Sequence, residues 1–138
     1  MNTSAFKYSV RLPFAARPVN PDWLGSKFLA TLDALTQIDS NIFPDWEVGD
    51  LPAMKGYPLA AARPRIAEII GHNVRRDGYT AAAYTMIGAR SRRMRLCIRT
   101  WLGDVWLDAG DGMVAQDPAI VTYPLFRAAL LAINAIWQ

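Results

Sequence analysis

Arg93-Met94-Arg95-Leu96-Cys97-Ile98-Arg99-Thr100-Trp101-Leu102 is the stretch that decides the fold class. Met94, Leu96, Ile98, Thr100 and Leu102 share one parity, and Arg95, Cys97, Arg99 and Trp101 share the other. A period of two places the apolar set on one side of an extended chain and the arginines on the other, which predicts a half-buried strand over residues 93–102. Gly103-Asp104 then supplies turn chemistry, residues 105–108 read as a short strand, and Asp108-Ala109-Gly110-Asp111-Gly112 as a further turn. Residues 113–115 follow as a candidate strand. Upstream, residues 81–89 carry Tyr84, Met86 and Ile87 and reach the central stretch through a turn at Arg90-Ser91-Arg92. Strands in close succession with turn residues between them describe an antiparallel meander.

On either side of this meander the period changes to that of helices. Asn20 can cap a helix with Pro21 in its first position, and Trp23, Leu24, Phe28, Leu32, Leu35 and Ile38 form its apolar stripe before Asp39-Ser40-Asn41 ends it. A second helix is predicted over residues 59–75, with Ile66, Ile69, Ile70 and Val74 as its buried edge; Pro64 inside the pattern offers an alternative start. A third begins near Thr122 or Tyr123, with Phe126, Leu130, Ile133 and Trp137 on one stripe. Residues 6–12 alternate weakly and read as a strand. Residues 42–49 read as a loop or short extended segment in which Pro44 argues against a central strand, and residues 51–58, with Pro52, Gly56 and Pro58, as a linker. The order predicts an α+β fold, an antiparallel sheet with helices packed on one face.

The chain has 138 residues, of which 52% are hydrophobic and 20% charged, so residues 1–138 are expected to form one globular domain rather than a disordered segment. One cysteine, Cys97, precludes an internal disulfide. The N-terminus has no apolar core of a signal peptide, and residues 124–137 are too short and too interrupted to span a bilayer, so a cytoplasmic protein without membrane contact is expected. The formal net charge is +3, but it is unevenly placed. Residues 22–50 carry Asp22, Asp33, Asp39, Asp45, Glu47 and Asp50 against Lys27, a net −5. Residues 51–99 carry ten Arg and Lys against Glu68 and Asp77, a net +8, and residues 100–138 carry Asp104, Asp108, Asp111 and Asp117 against Arg127, a net −3. The basicity is concentrated in Arg90, Arg92, Arg93, Arg95 and Arg99.

The inventory of chemistry is thin. His72 is the only histidine, so no zinc site of Cys and His alone can be written. A catalytic thiol needs a base and an accessible site; Cys97 sits mid-strand and reads as a small hydrophobe, although Arg95 and Arg99 on its face would lower its pKa. Phosphate-loop, dinucleotide and nucleophile-elbow motifs do not occur, and no cofactor is implied. Asp108 and Asp111 do not follow the calcium-loop order, and tight turns prefer the same residues. The arginine run could grip phosphates, with Trp101 as a stacking platform, but the favoured reading is a solvated hairpin whose edge arginines block sheet-to-sheet pairing. Trp46, between Asp45 and Glu47, is either an exposed binding anchor or a lid over the core.

Several segments together resemble the immunity protein 52 family, which is found beside bacterial polymorphic toxins. The residues are Leu24-Gly25-Ser26-Lys27-Phe28-Leu29-Ala30-Thr31-Leu32-Asp33-Ala34-Leu35, then Ile38-Asp39 and Ile42-Phe43 ahead of Trp46, Pro58-Leu59 and Arg65-Ile66-Ala67. Further along are Asn73-Val74 before Asp77-Gly78-Tyr79, and Asp117-Pro118-Ala119 running into residues 123–131. Members of the family continue past the position of Trp137, so the resemblance implies a short member or the N-terminal portion of the family's domain. It also implies binding without catalysis: inhibition of a cognate toxin, expected to be a nuclease-type effector, by surface complementarity. Acidic side chains can mimic phosphates at a basic nuclease site. The candidates here are Asp45, Trp46, Glu47 and Asp50, with Asp104, Asp108 and Asp111 in the later turns. The alternative is a nucleic-acid-binding module built on the basic hairpin at residues 90–99.

Overall fold

The computed structural model describes residues 9–14, 20–40, 43, 45–73, 80–87, 91–99, 103–109 and 122–138. Strand β1 (Ser9–Pro13) precedes helix α1 (Pro21–Ile38), and strands β2 (Trp46–Asp50) and β3 (Lys55–Pro58) follow it. A broken helical segment comes next: α2 (Leu59–Ala62), a 3-10 turn at Arg63–Arg65, and α3 (Ile66–Asn73). Strands β4 (Ala81–Ile87), β5 (Ser91–Arg99) and β6 (Asp104–Ala109) lead to the terminal helix α4 (Tyr123–Trp137). The six strands form one antiparallel sheet in the order β1-β6-β5-β4-β2-β3, so the fold is α+β, as the alternation predicts.

Register and alternation assign the two faces. Leu96 stands opposite Leu107, Ile98 opposite both Val105 and Ala81, and Val10 and Leu12 extend the same row across β6. This face is apolar and carries the helices: α1 lies between α4 and α3, α4 reaches β1, and α3 reaches β2. Leu24, Phe28, Leu32 and Leu35 of α1, Ile69 and Ile70 of α3 and Ile133 of α4 are all fully buried against it. Gly25 lets α1 approach α3, since a β-carbon there would stand 3.0 Å from Ile66 Cγ2. The Asn20 carboxamide oxygen accepts the Asp22 and Trp23 amides at 3.1 Å, the cap that the sequence indicates. Across the helix layer, Thr31 Oγ1 accepts the Trp137 indole N–H at 2.9 Å, and Lys27 Nζ donates to the Ile136 carbonyl.

Three sequence expectations are corrected. Residues 46–50 form an interior strand between β4 and β3; Pro44, on which the expectation rested, lies outside the described residues. The supposed linker contains β3, a four-residue edge strand that tolerates Pro58 because one of its sides has no partner strand among the described residues. The second helix is not continuous: Pro64 has no N–H to donate, and the chain tightens into the 3-10 turn that contains it. The expected strand at residues 113–115 lies outside the described residues.

Candidate functional site

The β2–β3 hairpin, α1 and the α2 corner enclose a groove of about 810 Å³. Its α1 wall is Asp33, Thr36 and Gln37; its β2 wall is Asp45, Trp46 and Glu47; Pro58, Leu59, Ala60 and Arg63 close the third side. Trp46 forms the inner wall. It is 2% exposed, stacks on Phe43 at 5.7 Å between ring centroids, and donates its indole N–H to Thr36 Oγ1 at 3.2 Å. It is therefore a lid over the core rather than an exposed anchor. Arg63 crosses the groove to Asp33 with two hydrogen bonds, 2.7 and 3.1 Å long, and these hold the guanidinium pKa above its ordinary value. Asp45 is exposed and Glu47 half-buried, and neither has a hydrogen-bond or ion-pair partner among the described residues.

Glu47 also borders a second depression of about 290 Å³ that runs along the hairpin past Gly49 and Gly56 to Met54. Gly49 pairs with Gly56, so no side chain rises from that position. A β-carbon on Gly56 would collide with the Glu47 carboxylate, which lies over it. Asp50 closes β2 on the helix side. It is 4% exposed, and its Oδ2 lies 3.2 Å from His72 Nδ1, while Oδ1 is buried without a hydrogen-bond partner in the described structure. Asn73 joins α3 to the start of the hairpin turn: its Oδ1 accepts the Leu51 amide at 2.8 Å and its Nδ2 donates to the Gly49 carbonyl.

The later aspartates sit elsewhere. β6 and β2 are three strand positions apart, roughly 14 Å; Asp104 and Asp108 project from the face opposite the helices, as Glu47 does, and Glu47, Tyr84, Arg95 and Asp108 form one cross-strand row. There the register sets Arg95 against Asp108 and Arg99 against Asp104. Arg95 Nη2 donates to Asp108 at 2.7 Å, Arg99 Nε to Asp104 at 2.9 Å, and Arg11 Nε lies 3.3 Å from Asp104. Trp106 stands among these groups, with the guanidinium carbons of Arg11, Arg95 and Arg99 at 5.3, 5.1 and 5.9 Å from its ring. Asp104 and Asp108 are 7% and 5% exposed, so they neutralise arginines and present no free acidic surface. β5 is an interior strand, and its arginines are not edge guards. Asp111, Arg90 and Trp101 lie outside the described residues.

Cys97 lies between Arg95 and Arg99 on this face, 2% exposed. Burial pushes its thiol up to about 12, against the opposing pull of Arg95. Among the described residues no group of three or more His, Cys, Asp and Glu is placed to hold a metal ion, and no helix is long and apolar enough to cross a membrane. Sequence reasoning missed Asp33 and Arg63, thirty residues apart, because only the tertiary fold brings α1 and the 3-10 turn together. It also missed Met54, which carries no chemical motif. Family models, curated proteins and solved structures were compared with the chain, and none matches.

Proposed function

We propose that the protein binds and neutralises a bacterial toxin, and that the groove beside β2 is where the toxin docks. The observation that carries this reading is the pair Asp45 and Glu47, two carboxylates without counter-charge among the described residues that line the groove beside β2. Uncompensated carboxylates on a protein whose net charge is +3 are a local inversion of sign, suited to a basic surface such as a nuclease's phosphate-binding site. The resemblance to the immunity protein 52 family supports the same role. The nucleic-acid alternative has less support, because Arg95 and Arg99 spend donors on Asp108 and Asp104.

The proposal predicts a toxin gene beside this one, and co-expression with its product tests it. The expected outcome is protection of the host cell and a complex that weakens with salt. Asp45→Asn with Glu47→Gln should lower the affinity about tenfold or more while shifting stability by less than about 0.5 kcal/mol. Failure of the unaltered protein to protect or to form the complex would sink the reading.

A further inference from the structure

The four-residue turn between β2 and β3 is Leu51-Pro52-Ala53-Met54, without a polar side chain. Turn tips ordinarily draw on Gly, Asn, Asp and Ser. Met54 is 88% exposed, the most exposed of the large hydrophobic residues described. Its φ is 54°, in the left-handed region that glycine enters freely and a side-chain-bearing residue enters at a cost. Neither core packing nor backbone preference accounts for methionine here. The tip is nonetheless well fixed: the Leu51 amide is held by Asn73, and the Met54 amide donates to the Leu51 carbonyl at 3.1 Å. Pro52 adds its own fixed φ.

The tip is continuous with the acidic groove. Glu47 lines both the groove and the depression that ends at Met54, and its carboxylate lies over Gly56, where the Gly49–Gly56 pair leaves it room. One side of the hairpin thus offers Asp45 at its base, the Glu47 carboxylate resting over Gly56 in the middle and a preorganised thioether at its end. Preorganisation limits the ordering cost of association, and a flexible, polarisable methionine fits irregular apolar recesses.

We infer that the β2–β3 hairpin is a two-point docking element for a protein partner that sets basic side chains against Asp45 and Glu47 and takes the Met54 side chain into an apolar recess. The inference rests on the proposed function and adds the chemistry of the partner's surface. Charge complementarity at the base selects a protein with a basic cleft, and the apolar tip requires that this cleft have an apolar pocket at its border.

The probe is the toxin encoded by the adjacent gene, and the readout is its dissociation constant by calorimetry for the unaltered protein, for Met54→Gly and for the Asp45→Asn, Glu47→Gln pair. Met54→Gly relieves the left-handed backbone, so the variant folds and lost binding cannot be assigned to unfolding. The expected result is a loss of tenfold or more for Met54→Gly that persists at high salt, and a loss for the acidic pair that disappears at high salt. Unchanged affinity of Met54→Gly, with the unaltered protein still binding, overturns the two-point inference and leaves the proposed function standing. No binding by the unaltered protein overturns both.

Discussion

The two charged regions of this sheet are built on opposite terms. On β5 and β6, each aspartate lies directly across from an arginine, both aspartates are buried, and Trp106 fills the space among the guanidinium groups. At the start of β2, Asp45 and Glu47 have no partner among the described residues, and the Arg63–Asp33 ion pair of the groove leaves them uncompensated. A charge whose counter-charge is supplied by the next strand contributes to register and to the identity of the fold. A charge left without one adds little to folding and remains available to another molecule. The amount of charge in each region is similar; the pairing separates structure from candidate function.

The largest expected effect tests how dry the β5–β6 side is. Burial raises the Cys97 thiol to about 12, whereas in the unfolded chain it titrates near its ordinary value. Above that ordinary value the folded state holds a proton that the unfolded state has released, so stability falls as pH rises. The loss from this one group approaches about 4 kcal/mol by pH 12, at 1.36 kcal/mol per pH unit. Denaturant melts of the native protein and of Cys97→Ala between pH 8 and 11 measure it: the native protein should lose stability more steeply. Equal slopes would mean that water reaches the thiol. Thiol alkylation at pH 8 should be correspondingly slow.

Next in size is the Arg95–Asp108 pair. Asp108→Ala leaves a guanidinium that is only 28% exposed without its carboxylate, for a loss of about 2–4 kcal/mol. Combining Asp108→Leu with Arg95→Met should recover most of that loss, because an apolar pair needs no desolvated charge. Chemical denaturation of the single and double variants checks this. A double variant no better than Asp108→Ala would show that the pair is stabilising beyond its own desolvation. The isosteric groove variants at Asp45 and Glu47 provide the contrast, with stability nearly unchanged and binding lost.

This contrast explains what the sequence could and could not reveal. The alternation in residues 93–102 locates β5 and its faces because a strand's period is local. The same alternation shows arginines on one face and, nine residues on, aspartates on one parity of β6. Their mutual neutralisation depends on the register Arg95–Asp108 and Arg99–Asp104, which a shift of one residue would abolish. Read separately, the two runs suggest a basic patch and an acidic patch; paired, they leave little of either. β2 and β3 were hidden for another reason. Strands of five and four residues with prolines nearby carry too little periodicity to identify, and they become strands through pairing with β4 and with each other. Asp45, Trp46 and Glu47 were legible as a cluster because they are adjacent in the chain, but the groove that gives them meaning needs α1 and the α2 corner.

The smallest expected effect bears on the functional side of the comparison. At Met54 the left-handed backbone costs a non-glycine residue about 1 kcal/mol or slightly more. Glycine removes that strain but loses more conformational freedom on folding, an offset of about 0.4–1 kcal/mol. The net result for Met54→Gly is a gain of less than about 1 kcal/mol. Ala53, its neighbour in the same turn, is not in the positive-φ region, so Ala53→Gly has only the entropic term and should lose about 0.4–1 kcal/mol. Thermal melts of the two single variants should therefore move in opposite directions from the same four-residue turn. If both fall, Met54 is held by packing with the rest of the chain and the tip is part of the fold. If they diverge, the methionine is kept at a position where folding alone favours glycine, as expected for a side chain whose contacts are made with another molecule.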